Sequence, residues 1–382
     1  MPAQILHSLF GEDVISAVCR RIGDGPNGRR LEPLAVAISE NLFRNYRDIF
    51  TLGCQGPDIF YHSQRTRPVA IEYGSLLHRR DFGVFGAELL KMAFPGLAPE
   101  GERGNITGTS AYALGFITHA ALDRFCHPYI VYRSFDPNAE RGSLRESGIA
   151  HPFFERILDV LMLKKLRSLE TESWDQERLL AETCENPPPG LKDCIAAALR
   201  AGFPERAGKD GKLRQRIDNA FVDCAHYYRV SAPARTRTGS RSALSNTTDG
   251  DSGDSSFLRN LRFLALVYPE NVSTEIDFLN LEHRHWQYPY RPPNSAVPDS
   301  GCSFPEIYAA AVEAASGSFR PFIEQYLDAG ILPFDKAAES IGSGSLSIQD
   351  ENGKPAAPNT GSPLPLGDEL RRQAEMRGIG IV

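Results

Sequence analysis

The chain has 382 residues, 41% of them apolar and 24% charged, and its 42 basic side chains are outnumbered by 48 acidic ones for a net charge of −6. This balance excludes gross disorder and leaves material for a substantial core. It also gives no overall attraction for nucleic acid or anionic lipid, so a polyanionic partner needs a local patch.

In chain order, the amino terminus lacks a basic stretch before an apolar run, and no later segment keeps about 18 uncharged apolar residues together. The expectation is a cytoplasmic protein with no transmembrane segment. Seven cysteines without a Cys-x-x-Cys pair argue against a complete disulfide framework and read as reduced, mostly buried thiols. Leu34, Ile38, Leu42, Tyr46 and Phe50 form one apolar stripe, which predicts a helix started near Pro33 and stopped by Gly53. A second helix is expected from Phe82 to Phe94 before Pro95, and a third from about Thr109 to Cys126, closed by Pro128. Ser147 is placed to cap a fourth, with Pro152 in its first turn and Phe153, Ile157 and Leu161 as contacts. Further helical patterns cover about 175–201, 211–230, 256–268 and 304–328, and nothing alternates at period two for long enough to build a sheet. The expected class is all-α.

Two stretches depart from this pattern. Residues 231–256 are rich in Ser, Thr, Gly and charge, basic first and acidic second, and read as a mobile insertion. From about 331 to 382, Gly, Ser and Pro accumulate in a tail that wraps the core or hangs from it. The expected organisation is a helical domain over 1–330, with its motifs in 1–165, followed by that tail.

Six of the nine histidines lie before residue 152. His119 and Asp123 share one helix face, with His127 eight residues from His119 on nearly the same line. The His-x-x-x-carboxylate spacing recurs at His151 and Glu155, with Asp159 a turn further as an acceptor for an imidazole N–H. Asp58 follows the Gly56-Pro57 turn, His78 lies in Leu-Leu-His-Arg-Arg, and His7 stands near the start. Imidazole and carboxylate donors together, without thiolates, suit a metal site for hydrolysis. Zinc, manganese and iron all fit such donors.

The order His7, Gly56-Pro57-Asp58, His78, His119-x-x-x-Asp123, His127 and His151-x-x-x-Glu155 resembles the bacterial zinc-dependent phospholipase C family, a relative of the single-strand-specific zinc nucleases. The resemblance covers about residues 1–165. It implies an all-α fold with a zinc cluster in a central cleft and hydrolysis of a phosphodiester. It further implies that Asp58, His78, His119 and Asp123 hold one zinc, that His127, His151 and Glu155 hold a second, and that Asp123 bridges to a third. The third ion takes the histidine matching His7 and the terminal amine and carbonyl of a tryptophan, which the opening Met1-Pro2 does not supply; two zinc ions are therefore expected, with the third open. The implied mechanism is attack of metal-activated water on phosphorus, with Asp58 orienting or deprotonating that water.

Other residues weigh less. His62 beside Tyr61 reads as packed or hydrogen-bonded rather than ligating. His283 and His285 flank Trp286 in a loop against the main body. Arg79 and Arg80 are solvated or meet a phosphate, and Arg229, Arg235, Arg237 and Arg241 lead into the insertion. The implied substrate is a phospholipid or a smaller phosphodiester. Nucleic acid is ranked below it, because a nuclease wants a basic groove lined with stacking aromatics. The reading from another class is a metal-stabilised helical scaffold without catalysis.

Overall fold

The computed structural model describes residues 4–94, 97–99, 102–139, 148–233, 261–292 and 299–379. The described chain is all-α, its helices being α1 (Gln4–Gly23), α2 (Gly28–Asn45), α3 (Arg47–Cys54), α4 (Ile71–Arg79), α5 (Phe82–Ala93), α6 (Gly108–Ser134), α7 (Ala150–Arg167), α8 (Thr183–Glu185), α9 (Leu191–Gly202), α10 (Leu213–Val230), α11 (Phe304–Ala329), α12 (Phe334–Ile341) and α13 (Leu366–Met376). Its strand content is one antiparallel pair, Trp286–Gln287 with Asp299–Ser300. Among the described residues no helix is long and apolar enough to cross a membrane. One continuous apolar cluster runs from Ile5 to Ala374, so residues beyond 330 share the core of the rest.

Three boundaries differ from expectation, each for a local reason. The stripe of 34–50 is two helices, because the backbone leaves helical geometry at Tyr46, where φ is −129°. The pattern of 175–201 is a π-helical turn at Glu177–Glu182 and then α8 and α9, parted by Pro187-Pro188-Pro189, whose nitrogens cannot donate to a helix ladder. The helix expected to close at Pro128 runs on to Ser134 with the proline inside. Burial of Tyr129, Ile130 and Val131 beyond it compensates for the hydrogen bond that Pro128 removes. The insertion of 231–256 and Arg235, Arg237 and Arg241 fall almost wholly or wholly outside the described residues, as do Ser147 and the start of the pattern at 256–268.

α6 is buried on nearly every side, and α3 lies against it at backbone distance. A Cβ at Gly53 would stand 2.3 Å from the Tyr112 carbonyl oxygen, and one at Gly115 would stand 2.4 Å from that of Phe50. This close approach brings the end of α3, and the 3₁₀ turn Gly56–Phe60 after it, onto the α6 face that carries His119 and Asp123. α1 packs on α6 and α7, which places His7 beside the same face.

Candidate metal centre

All eight expected site residues converge, although they come from α1, the 3₁₀ turn, α4, α6 and α7. Their donor atoms form three groups: Asp58, His78 and His119; His127, His151 and Glu155; and His7, His119 and Asp123. Within α6, the continuation through Pro128 keeps His119, Asp123 and His127 on successive turns of one helix. His119 is wholly buried, whereas the His151 side chain is 33% exposed, so the centre grades from the core to solvent.

Four imidazoles are oriented in the same way. His78 Nδ1–H donates to the Gly74 carbonyl at 2.8 Å, His119 Nδ1–H to that of Cys54 at 3.3 Å, and His127 Nδ1–H to that of Leu346 at 2.9 Å. His151 Nδ1 faces Ser134 Oγ at 3.4 Å, and that hydroxyl spends its own proton on the Ile130 carbonyl. Each ring thereby keeps Nε2 for the interior. His78 Nε2 lies 3.1 Å from Asp58, His119 Nε2 lies 3.1 Å from Asp123 Oδ2, and His127 and His151 Nε2 lie 3.2 and 3.3 Å from Glu155. The ring that meets backbone on one side and a carboxylate on the other is the arrangement that orients histidine ligands to a metal.

These residues fit zinc. Nε2 of His78 and His119 and Oδ2 of Asp123 are buried, and despite their mutual approach none has an aligned hydrogen bond. Buried polar atoms are seldom left so, and a cation among them satisfies all three. A single imidazole nitrogen serves one ion, so His119 cannot complete two groups. If it joins Asp58 and His78, the third group retains His7 Nε2 and Asp123 Oδ1, 3.3 Å apart. His7 stacks on His119 with ring centroids 4.0 Å apart.

Electrostatics follow from this crowding. Burial on its own would raise the carboxyls of Asp123 and Glu155, yet both stand well below the usual carboxylate range, held there by His127 and His119 around the first and with His151 and His127 contributing around the second. Asp58 is likewise held low against its burial, with His78 and His119 contributing. Burial would lower the imidazolium of His127, yet Asp123 and Glu155 outweigh it and push the ring up to about 9. A metal entering the chelated protein must displace that proton. Zinc uptake should therefore release protons, and the apparent affinity should fall by up to about tenfold per unit as pH drops from 9 towards 6; titrations at pH 6.5 and 8 in buffers of unlike ionisation enthalpy check both. In the metal-free state the stabilising contribution of His127 is complete below 6.5 and is lost as pH rises through about 9.

Gly56 has a φ of +55°, and a Cβ there would come within 2.4 Å of the His119 ring. Gly56→Ala should lose about 1–2 kcal/mol from the left-handed backbone alone. Because the displaced ring is a donor, zinc affinity should fall roughly 10–100-fold, which calorimetric zinc titration of the folded variant would read.

Other expectations resolve differently. Asp159 accepts no imidazole proton. Its Oδ1 takes the Leu6 N–H at 2.7 Å, and its Oδ2 lies 3.2 Å from Arg156 Nη1, because this turn of α7 faces the start of α1. His62 stands apart from the three groups, stacked on Tyr227 at 3.8 Å, and burial lowers it to about 3. His283 is exposed and approaches the Gly301 carbonyl, while Trp286 packs on Tyr129, so this loop supports the core. Arg80 pairs with Asp81, and Arg229 pairs with Glu177 and Glu185.

The centre opens into a cleft of about 340 Å³, lined in part by Tyr61, Ser75, His78, Arg79, His127 and His151. Sequence reasoning missed the rest of the lining, Ser345, Ser347, Ile348, Pro355 and Ala356, which lie in the Gly/Ser/Pro-rich tail and include no ligand-type residue.

A family profile described as zinc dependent phospholipase C matches residues 17–205, about half of the chain. The chain belongs to the zinc-dependent phospholipase C family. The matched stretch contains Asp58, His78, His119, Asp123, His127, His151 and Glu155, and ends before the tail; His7 precedes it. No curated protein and no solved structure matches the chain. Membership in this zinc-dependent phospholipase C family agrees with a helical fold, a hydrolase and zinc as the metal of the buried donor groups.

Proposed function

We propose that this protein is a zinc-dependent phosphodiester hydrolase of phospholipase C type, acting on a phospholipid or a smaller phosphodiester. The observation that carries this reading is the set of four imidazoles tied outward through Nδ1 and turned through Nε2 onto carboxylates, three of which, His78, His127 and His151, line an open cleft. Asp58, His78, His119 and Asp123 would hold one zinc, and His127, His151 and Glu155 a second. His7 with Asp123 offers a weaker third position that needs further donors. Bound there, zinc supplies an activated water near neutral pH and offsets charge building on the phosphoryl oxygens.

The chain's own residues do the rest. Asp58, which approaches His78 Nε2 at 3.1 Å within the donor group, would orient or deprotonate the attacking water. Arg79 at the mouth adds a cation facing the phosphate's surroundings. The seven free thiols suit a reducing compartment, and we place the enzyme in the cytoplasm. Zinc-loaded protein should hydrolyse bis(4-nitrophenyl) phosphate and micellar phospholipid, lose both activities on chelation, and regain them with zinc. Loaded protein inert on every phosphodiester would sink the hydrolase reading, while cleavage confined to single-stranded DNA would move it to the nucleases.

A further inference from the structure

Residues 342–356 fold back as a strap across the metal cleft, outside the stretch that matches the family. Arg124, adjacent in sequence to Asp123, donates to the carbonyls of Ile341 at 2.6 Å, Gly342 at 2.9 Å and Gly344 at 3.3 Å. Asp81 N–H reaches the Ser343 carbonyl at 3.0 Å, and Leu346 N–H reaches that of His78 at 2.8 Å. The strap then turns on itself through the Gln349 to Pro355 bridge and the Ala356 N–H to Ile348 carbonyl bond of 3.1 Å. Tyr288 anchors it by accepting the Gln349 N–H at 2.6 Å.

This segment touches the centre at two levels. The Leu346 carbonyl takes the His127 Nδ1–H, so a tail residue fixes which nitrogen of that imidazole faces Glu155. Beyond it, Ser345, Ser347, Ile348, Pro355 and Ala356 line the same cleft as Tyr61 and Arg79. A cleft of about 340 Å³ is too small for two acyl chains, so the group entering it is the polar end of the diester.

The lining also has a sign. Arg79 is exposed and makes no ion pair among the described residues, and apart from the donor groups no carboxylate lines the cleft among them. A trimethylammonium headgroup calls for carboxylates or several aromatic faces. Tyr61 is the aromatic residue present, and its ring leans on His78 with centroids 4.9 Å apart. Resting on the hydrolase reading above, we propose that the strap is the headgroup wall and that the cleft takes a phosphodiester whose headgroup carries hydroxyls or negative charge, such as glycerol, in preference to a quaternary ammonium.

The experiment measures calorimetric binding of sn-glycerol 3-phosphate and phosphocholine to the zinc-loaded full chain, alongside hydrolysis of phosphatidylglycerol and phosphatidylcholine in mixed micelles. Glycerol phosphate should bind about tenfold more tightly, the size of one charge-assisted hydrogen bond. Arg79→Gln should erase most of that preference, and Ala356→Trp, which fills the cleft from the strap, should weaken both ligands about tenfold or more at unchanged zinc content. Equal or reversed preference, or an Ala356→Trp protein that binds both ligands like the parent, overturns the proposal. If bis(4-nitrophenyl) phosphate is still hydrolysed in that case, the hydrolase reading survives; a glycerol phosphate preference without any turnover upholds the wall and overturns the hydrolase.

Discussion

His119→Ala is expected to reduce bound zinc from two ions per chain to one and to lower phosphodiester hydrolysis by roughly 10³-fold or more, since a metal supplies several kcal/mol of charge stabilisation in the transition state. The size of the effect follows from position. His119 stands with Asp58 and His78 in one donor group and beside His7 and Asp123, so its loss takes a donor from the ion that it would hold with Asp58, His78 and Asp123. It also removes the ring on which His7 stacks and leaves a hole at a wholly buried point of α6. His127, His151 and Glu155 do not depend on it, so their ion should remain. Elemental analysis and steady-state rates on the same preparation read both quantities. A variant that kept two zinc ions, or most of its activity, would show that His119 is a packed core histidine.

Asp159→Ala should destabilise the fold by about 3–5 kcal/mol, because deleting one member of a buried ion pair strands the other. Asp159 and Arg156 are both fully buried. The guanidinium stays charged at every accessible pH and would retain neutral partners: Gln4 Oε1 at 3.0 Å, the Leu266 carbonyl at 3.0 Å, Tyr227 OH at 2.7 Å and the face of the Tyr268 ring. The Leu6 N–H at the start of α1 would lose its acceptor as well. Because α1 carries His7 while α7 carries His151 and Glu155, the network also sets the distance between donors on two elements. Urea unfolding of the zinc-free chain isolates the stability term from metal binding. Asp159→Asn, which keeps an acceptor, should lose less, and so should the double variant Arg156→Met with Asp159→Leu, which leaves no charge stranded. An Asp159→Ala protein within about 1 kcal/mol of the parent would show that the pair does not hold α1 to α7.

Much of the site was legible because its residues are local in sequence. His119, Asp123 and His127, and likewise His151 and Glu155, recur at helical spacing, and a helix folds such a pattern onto one face wherever its ends lie. The displaced end at Pro128 therefore left the donor face intact, since tertiary burial decided the boundary and the spacing decided the face. Asp159 fits the same spacing yet serves another partner: periodicity gives a direction from the helix axis but not the neighbour found there, which is α1. The Pro187-Pro188-Pro189 break was readable from composition alone, and the apolar periodicity on either side masked it. The strap had no such signal. Its contribution is a backbone carbonyl and a few small side chains brought back from more than 200 positions away, and neither spacing nor residue type marks a peptide group as the partner of His127.

The central claim is that the buried imidazole and carboxylate groups hold zinc. Elemental analysis of the full chain purified without added metal tests it most directly: two tightly held zinc ions are predicted, with a third in weaker exchange, whereas less than one metal ion per chain, unchanged by reconstitution with zinc, would contradict it.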